Sequence, residues 1–176
     1  MEDANDGLVF NWNIWAPPKA NYLIWRALIG KIASKKGLIH RGISLADSLC
    51  PRCGLYDEDP DHIFVKCLWA KCIGWNILAW VRLNFIASNN LNDLLQLINR
   101  SPGDKVWKRV VYTVAIAMVW RIWIARNEKV FEDVFIPISK TVEQIKEDVF
   151  LWLCNRSKLK PPVWEKWKVF DILDMM

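Results

Sequence analysis

Residues 50–67 read CPRCGLYDEDPDHIFVKC, and the spacing inside that stretch, Cys50-x2-Cys53-x8-His62-x4-Cys67, decides how the rest of the chain is read. Zinc takes four nitrogen or sulfur donors at the corners of a tetrahedron. Two thiolates on one tight turn fill two corners. Pro51 stiffens that turn, and Gly54 lets the backbone fold back so that amide N–H groups point at the sulfurs. The loop that follows is long enough to return the chain, and His62 and Cys67 complete the set. Cys72 is an alternative fourth ligand, with His62 then a surface histidine, while Cys154 reads as a small core residue. Three thiolates and one imidazole leave no coordination position open, so the spacing predicts a single structural zinc ion rather than a catalytic one.

The same stretch needs such a staple. Residues 43–67 are the least periodic part of the chain, broken by Pro51, Gly54 and Pro60 and loaded with Asp57, Glu58, Asp59 and Asp61. Few apolar groups are on hand there to offset the entropy of ordering, so a metal must supply the cohesion.

Outward from the knuckle, the patterning is helical. Pro18 suits a first helical turn and Gly30 the position past a helix end, which predicts a helix over Lys19–Ile29 with Tyr22, Trp25, Arg26 and Ile29 on one stripe. Ser34 caps a short second helix that stops at Gly42. After the knuckle, a helix runs from Leu68 to about Asn84. Leu91, Leu94, Leu95 and Ile98 mark another, closed by Ser101-Pro102-Gly103. From Asp104 to Phe131 no turn signal occurs, which favours helix over the strand its β-branched residues would also allow, and Val110–Trp120 is apolar nearly all round, as at the centre of a bundle. A last helix follows Pro137, with Thr141 and Gln144 placed as a capping box and Val142, Ile145, Val149 and Trp152 inward. The tail after Arg156, with Pro161-Pro162 and two tryptophans, reads as irregular. The expected fold is mainly α, a helical bundle with a small CCHC zinc knuckle embedded in it. Residues 1–88 hold an N-terminal arm, two short basic helices, the knuckle and its following helix. Residues 89–176 hold the helical region with the long buried helix, the two packed as one unit.

Composition narrows the function. A hydrophobic share of 53% with 24% charged residues excludes a disordered chain. Twelve tryptophans are too many to be surface decoration alone; most belong to a core, and the rest offer a contact surface. The net charge is +5, unevenly spread: no acid occurs between Gly7 and Ala46, where Lys19, Arg26, Lys31, Lys35, Lys36 and Arg41 stand. A second basic stretch, Arg100–Lys129, carries seven cations against Asp104 and Glu128. Cation clusters of this kind suit phosphate backbones or acidic partners, and a solvated helix face otherwise. The acidic start is unlike a signal or transit peptide, and no apolar run reaches the roughly 20 residues that span a bilayer. Five cysteines with C-x-x-C spacing belong in a reducing compartment, so an intracellular protein is expected, neither secreted nor in a membrane, and in the nucleus rather than the cytosol. No nucleophile elbow and no glycine-rich phosphate loop occur, and His40 stands in a basic helix with no acid near it in sequence. The sequence therefore predicts neither an enzyme nor a small-molecule substrate.

Trp15-Ala16-Pro17-Pro18-Lys19, Trp25-Arg26-Ala27-Leu28, Gly42-Ile43, Cys50-Pro51-Arg52-Cys53-Gly54, Asp61-His62-Ile63-Phe64 and Cys67 together resemble the zinc-binding domain of plant non-LTR retrotransposon reverse transcriptases, which follows the polymerase. Trp120-Arg121-Ile122-Trp123 and Ala125-Arg126-Asn127 resemble the helical region after that knuckle. The resemblance implies the CCHC ligand set Cys50, Cys53, His62 and Cys67, and a role in holding RNA or DNA. Neither a paired-aspartate polymerase motif nor a ribonuclease H carboxylate cluster occurs in the sequence, so a non-catalytic segment is implied. Nucleic acid is the expected partner, contacted by Lys19, Arg26, Lys31, Lys35, Lys36, Arg41, Arg52 and Lys66. The alternative is a protein-interaction module with a Trp-rich surface and zinc as a staple, and the acidic loop Asp57–Asp61 counts toward it by repelling phosphates.

Overall fold

The longest helix organises the molecule. In the computed structural model, which describes residues 8, 10–84 and 87–176, Lys105–Glu132 forms one unbroken helix, with Asp104 as its cap accepting the amides of Val106 and Trp107. Every side chain from Val110 to Val119 is buried, as a helix apolar on all sides requires. Numbered in chain order, the α-helices are α1 (Pro18–Leu28), α2 (Lys35–His40), α3 (Leu68–Trp80), α4 (Leu91–Arg100), α5 (Lys105–Glu132), α6 (Ile138–Arg156) and α7 (Trp164–Trp167). A π-helical turn (His62–Lys66) precedes α3. α5 packs against α1, α3, α4, α6 and the π turn, and one continuous buried cluster runs from Trp15 to Met175. Helix accounts for 61% of the fold and there are no strands among the described residues, so the chain is mainly helical. None of these helices is long and apolar enough to cross a membrane. The acidic Met1–Asp6 start of the N-terminal arm lies outside the described residues.

Sequence expectations and structure agree closely at the punctuation. Pro18 opens α1, Gly30 follows its end at φ +68°, the Ser34 hydroxyl accepts the Gly37 amide at the start of α2, and Gly42 ends that turn at φ +83°. Three expectations are corrected. α3 stops at Trp80, four residues short of Asn84, because Arg82 turns into the left-handed region at φ 61°. α6 begins at Ile138 with Pro137 as its cap, and Thr141 sits inside the helix with its hydroxyl donating to the Pro137 carbonyl, so the capping box does not form. The tail is not irregular throughout: Trp164–Trp167 is helical, and Trp167 is completely buried with its indole N–H on the Lys146 carbonyl at 2.8 Å.

The arm ahead of α1 is stitched in by polar groups. Asn13 and Asn21 exchange bonds, Asn13 N–H to Asn21 Oδ1 and Asn21 Nδ2 to the Asn13 carbonyl, both at 2.9 Å. The Asn13 side chain reaches Thr113 of α5 at 2.7 Å. All three side chains are buried, where an unpaired amide would be costly and a paired one fixes the chain path.

Candidate metal centre

The knuckle is built from backbone bonds before any metal is considered. The Cys50 amide donates to the Tyr56 carbonyl and the Glu58 amide to the Ser48 carbonyl, each at 2.8 Å, so the loop returns antiparallel to its own start. Within it the Gly54 amide closes on the Cys50 carbonyl at 2.8 Å, with Gly54 at φ +66°. That is the tight, left-handed turn a glycine allows without strain.

The second pair of ligands depends on the π turn. Asp59 Oδ1 accepts the His62 amide, and the Cys67 amide donates to the His62 carbonyl, both at 2.8 Å. Positions five apart on an α-helix are offset by about 140° and would face different ways. An i→i+5 bond widens the turn so that His62 and Cys67 come round to the same side. Single π turns of this kind are frequent at functional sites.

The result is one cluster in which Cys50 Sγ, Cys53 Sγ, Cys67 Sγ and one His62 ring nitrogen all lie within 4.8 Å of one another. Cys53 Sγ and His62 Nε2 are 3.3 Å apart. A tetrahedral zinc with sulfur at about 2.3 Å needs donor separations of roughly 3.8 Å, so the set fits. Cys72 stands outside the cluster, on α3, whereas His62 is its fourth member.

Electrostatics prepare the sulfurs. A hydrogen bond with Cys50 and the amides of Ala70 and Trp69 hold the Cys67 thiol below its ordinary range. The same bond with Cys67, together with burial, pushes the Cys50 thiol up, against the pull of the Cys53 and Arg52 amides. A cation bound among them replaces that shared proton. Burial lowers the His62 imidazole below its usual value, which keeps it neutral and able to ligate. Arg52 lies between the rings of Trp69 and Phe135, at 3.7 and 3.9 Å from their centroids, with Nη2 on the Ile136 carbonyl at 2.8 Å. Its Nε and Nη1 are buried without a hydrogen-bond partner. Burial lowers its pKa to about 10, while the Cys67 and Cys50 sulfurs pull it back up. A guanidinium in that position complements three thiolates on a dication, a centre of one net negative charge.

The expected nucleic-acid contacts separate into two groups. Arg52 is enclosed as described. Lys35 is paired with Asp47 at 2.7 Å, and Arg41 donates to the Gly37 and Ile32 carbonyls. Lys36 stays exposed, 4.0 Å from Asp59. Lys19, Lys31 and Lys66 are exposed and Arg26 half-exposed, with no carboxylate partner among the described residues. The acidic loop is turned inward more than its sequence suggests. Glu58 is fully buried on Arg126, Asp57 bonds Ser48, Asp59 takes the His62 amide and Asp61 the Leu91 amide. Sequence reasoning missed Glu58, Arg126, Asn13 and Asn21 as architectural groups. No local signal sets Arg126 apart from the other cations of α5.

Residues 2–75 match the family described as zinc-binding in reverse transcriptase, the family that the CPRCG, DHIF and Cys67 motifs resemble. No match was found among curated proteins or among solved structures.

Proposed function

We propose that the chain is a non-catalytic nucleic-acid-binding module whose knuckle is held by one structural zinc ion on Cys50, Cys53, His62 and Cys67, and whose ligand is single-stranded RNA or DNA. A fully protein-ligated Cys3His set supports the structural role, since a catalytic zinc keeps a position for water or substrate. The observation that carries the binding reading is the distribution of charge. The acid-free stretch from Gly7 to Ala46 leaves Lys19, Arg26 and Lys31 at the surface without a carboxylate partner among the described residues, while the most buried acid of the zinc loop is neutralised by Arg126. Phosphates meeting that surface release counterions, and such binding weakens steeply with salt. The nucleus is the compartment that suits this role.

Fluorescence anisotropy of labelled oligo(dT) and oligo(U) with the zinc-loaded chain, across a salt series, tests it. The expected log–log slope is about −0.7 per phosphate neutralised. Absence of binding at low salt, or binding indifferent to salt, overturns the reading. A second reading, a protein-docking module, is favoured by the exposed apolar residues Val130 and Phe131 at the end of α5 and Val134 and Phe135 just beyond it. Salt-insensitive association with a protein would support it.

A further inference from the structure

α1 packs its aliphatic side chains on the core and leaves its rings outside. Its buried face is Ala20, Asn21, Leu23, Ile24 and Ala27, while its two aromatic residues, Tyr22 and Trp25, are 52% and 42% exposed. Each ring carries a large apolar area that burial would remove from water, so leaving both exposed forgoes that gain. The two rings lie against each other, centroids 5.5 Å apart at 36°. The Arg26 guanidinium stands 6.0 Å above the Tyr22 ring. Lys19, Tyr22 and Arg26 follow one another at i, i+3 and i+7, so cation and ring alternate along one helix face. Beside it the Asn13–Asn21 bonds pin the arm, and the residues flanking Asn13 turn outward, Trp12 at 54% and Ile14 at 62% exposure.

Resting on the nucleic-acid reading above, we infer that this face, Tyr22 and Trp25 with Lys19 and Arg26, together with the exposed Lys31 just past the helix end, is where a single strand docks. Unpaired bases stack on the Tyr22 and Trp25 rings, and the three cations track the backbone. Exposed rings offer a π-face that any base can use, whereas in a duplex the bases are already stacked on each other and their faces are closed to a helix surface. The charge agrees: no carboxylate occurs in the sequence from Leu8 to Ala46, the stretch that builds α1 and α2. A rigid site follows from the architecture, because α1 packs on α5 and needs no rearrangement to present the rings.

The experiment uses the full zinc-loaded chain and three labelled probes: oligo(dT), oligo(U) and a DNA duplex of the same length. Tyr22→Ala with Trp25→Ala should weaken single-strand binding about tenfold or more, with the salt slope unchanged, because stacking releases no counterions. Lys19→Gln with Arg26→Gln should instead flatten the slope by about 0.7 for each phosphate no longer neutralised. Tyr22→Phe with Trp25→Phe keeps a ring at both positions and should retain most of the affinity. Should the alanine pair lose helix or zinc, the deciding measurement is fluorescence quenching at saturating oligo(dT). Trp25→Phe alone should remove part of the quenching seen with the parent; undiminished quenching overturns the inference. So does an alanine pair that binds as the parent does, or a duplex bound as tightly as the single strands. Those results leave the nucleic-acid reading standing, whereas a parent chain that binds none of the probes removes both and turns this face over to a protein partner.

Discussion

Glu58 and Arg126, 68 positions apart, close a two-pronged ion pair with 0% and 5% of their side chains open to solvent. Nε and Nη2 of Arg126 stand 2.9 and 2.5 Å from the two carboxylate oxygens. Glu58 also accepts the Lys35 amide at 2.9 Å, so one carboxylate joins the knuckle loop, α2 and the central helix. Removing one member strands the other as a buried charge.

Arg126→Met should therefore cost about 3–5 kcal/mol of stability, and Glu58→Gln with Arg126→Met together clearly less than the single change. Urea denaturation of the zinc-loaded protein reads both. A single mutant within about 1 kcal/mol of the parent would show that the pair is not closed in solution.

The arm depends on Asn21, whose Nδ2 faces the carbonyls of Asn13, Ala16 and Pro17 at 2.9, 3.3 and 3.2 Å. Asn21→Leu leaves the Asn13 amide unpaired, at about 1–3 kcal/mol for a buried group, and takes a side-chain donor from the three carbonyls, of which Asn13 and Pro17 keep backbone donors. Hydrogen exchange at Asn13 and Trp15 should accelerate while exchange in the buried centre of α5 holds; unchanged exchange at Asn13 argues against the arm being held this way.

Arg52 is planar and clamped between two rings, a place that a lysine ammonium fills poorly. Arg52→Lys should lose about 1–2 kcal/mol and shift tryptophan fluorescence through Trp69, with zinc content unchanged. Lysine at full parental stability would mean that the stack contributes nothing.

Acid should strip the metal late as far as His62 is concerned. Burial lowers its folded pKa below the ordinary value of 6.5, so in the folded chain the imidazole stays neutral through that pH. The stabilisation of a depressed group is present above its unfolded pKa and lost as pH falls through the folded one. Zinc release followed with a chromogenic chelator should set in below about pH 6.5, where an ordinary histidine is already half charged. Release beginning above that pH would contradict the buried, neutral imidazole.

What is legible in the sequence is what is local. Cys50, Cys53, His62 and Cys67 lie within one short segment, and ligand chemistry alone ranks them. Helix ends at Pro18, Gly30, Ser34 and Asp104 are written in residues whose backbone preference is strong. The π turn at His62–Lys66 is not legible, because no side-chain period distinguishes it from loop. The pairs Glu58–Arg126 and Asn13–Thr113 join elements 68 and 100 positions apart, and nothing in either local pattern names the partner. The aromatic stripe of α1 is visible from its spacing; that it faces water is decided by Ala20, Leu23, Ile24 and Ala27 packing on the other side.

The metal centre tests the account most directly. Elemental analysis and native mass spectrometry of freshly purified protein should find about one zinc per chain. Cys53→Ser and His62→Ala should lose the metal, with the segment around residues 49–69 becoming open to protease, because a structural site contributes on the order of 10 kcal/mol to its own folding. Cys72→Ser should keep it. A parent chain without zinc, or a Cys72→Ser variant that loses zinc while His62→Ala retains it, would contradict the ligand set on which the rest is built.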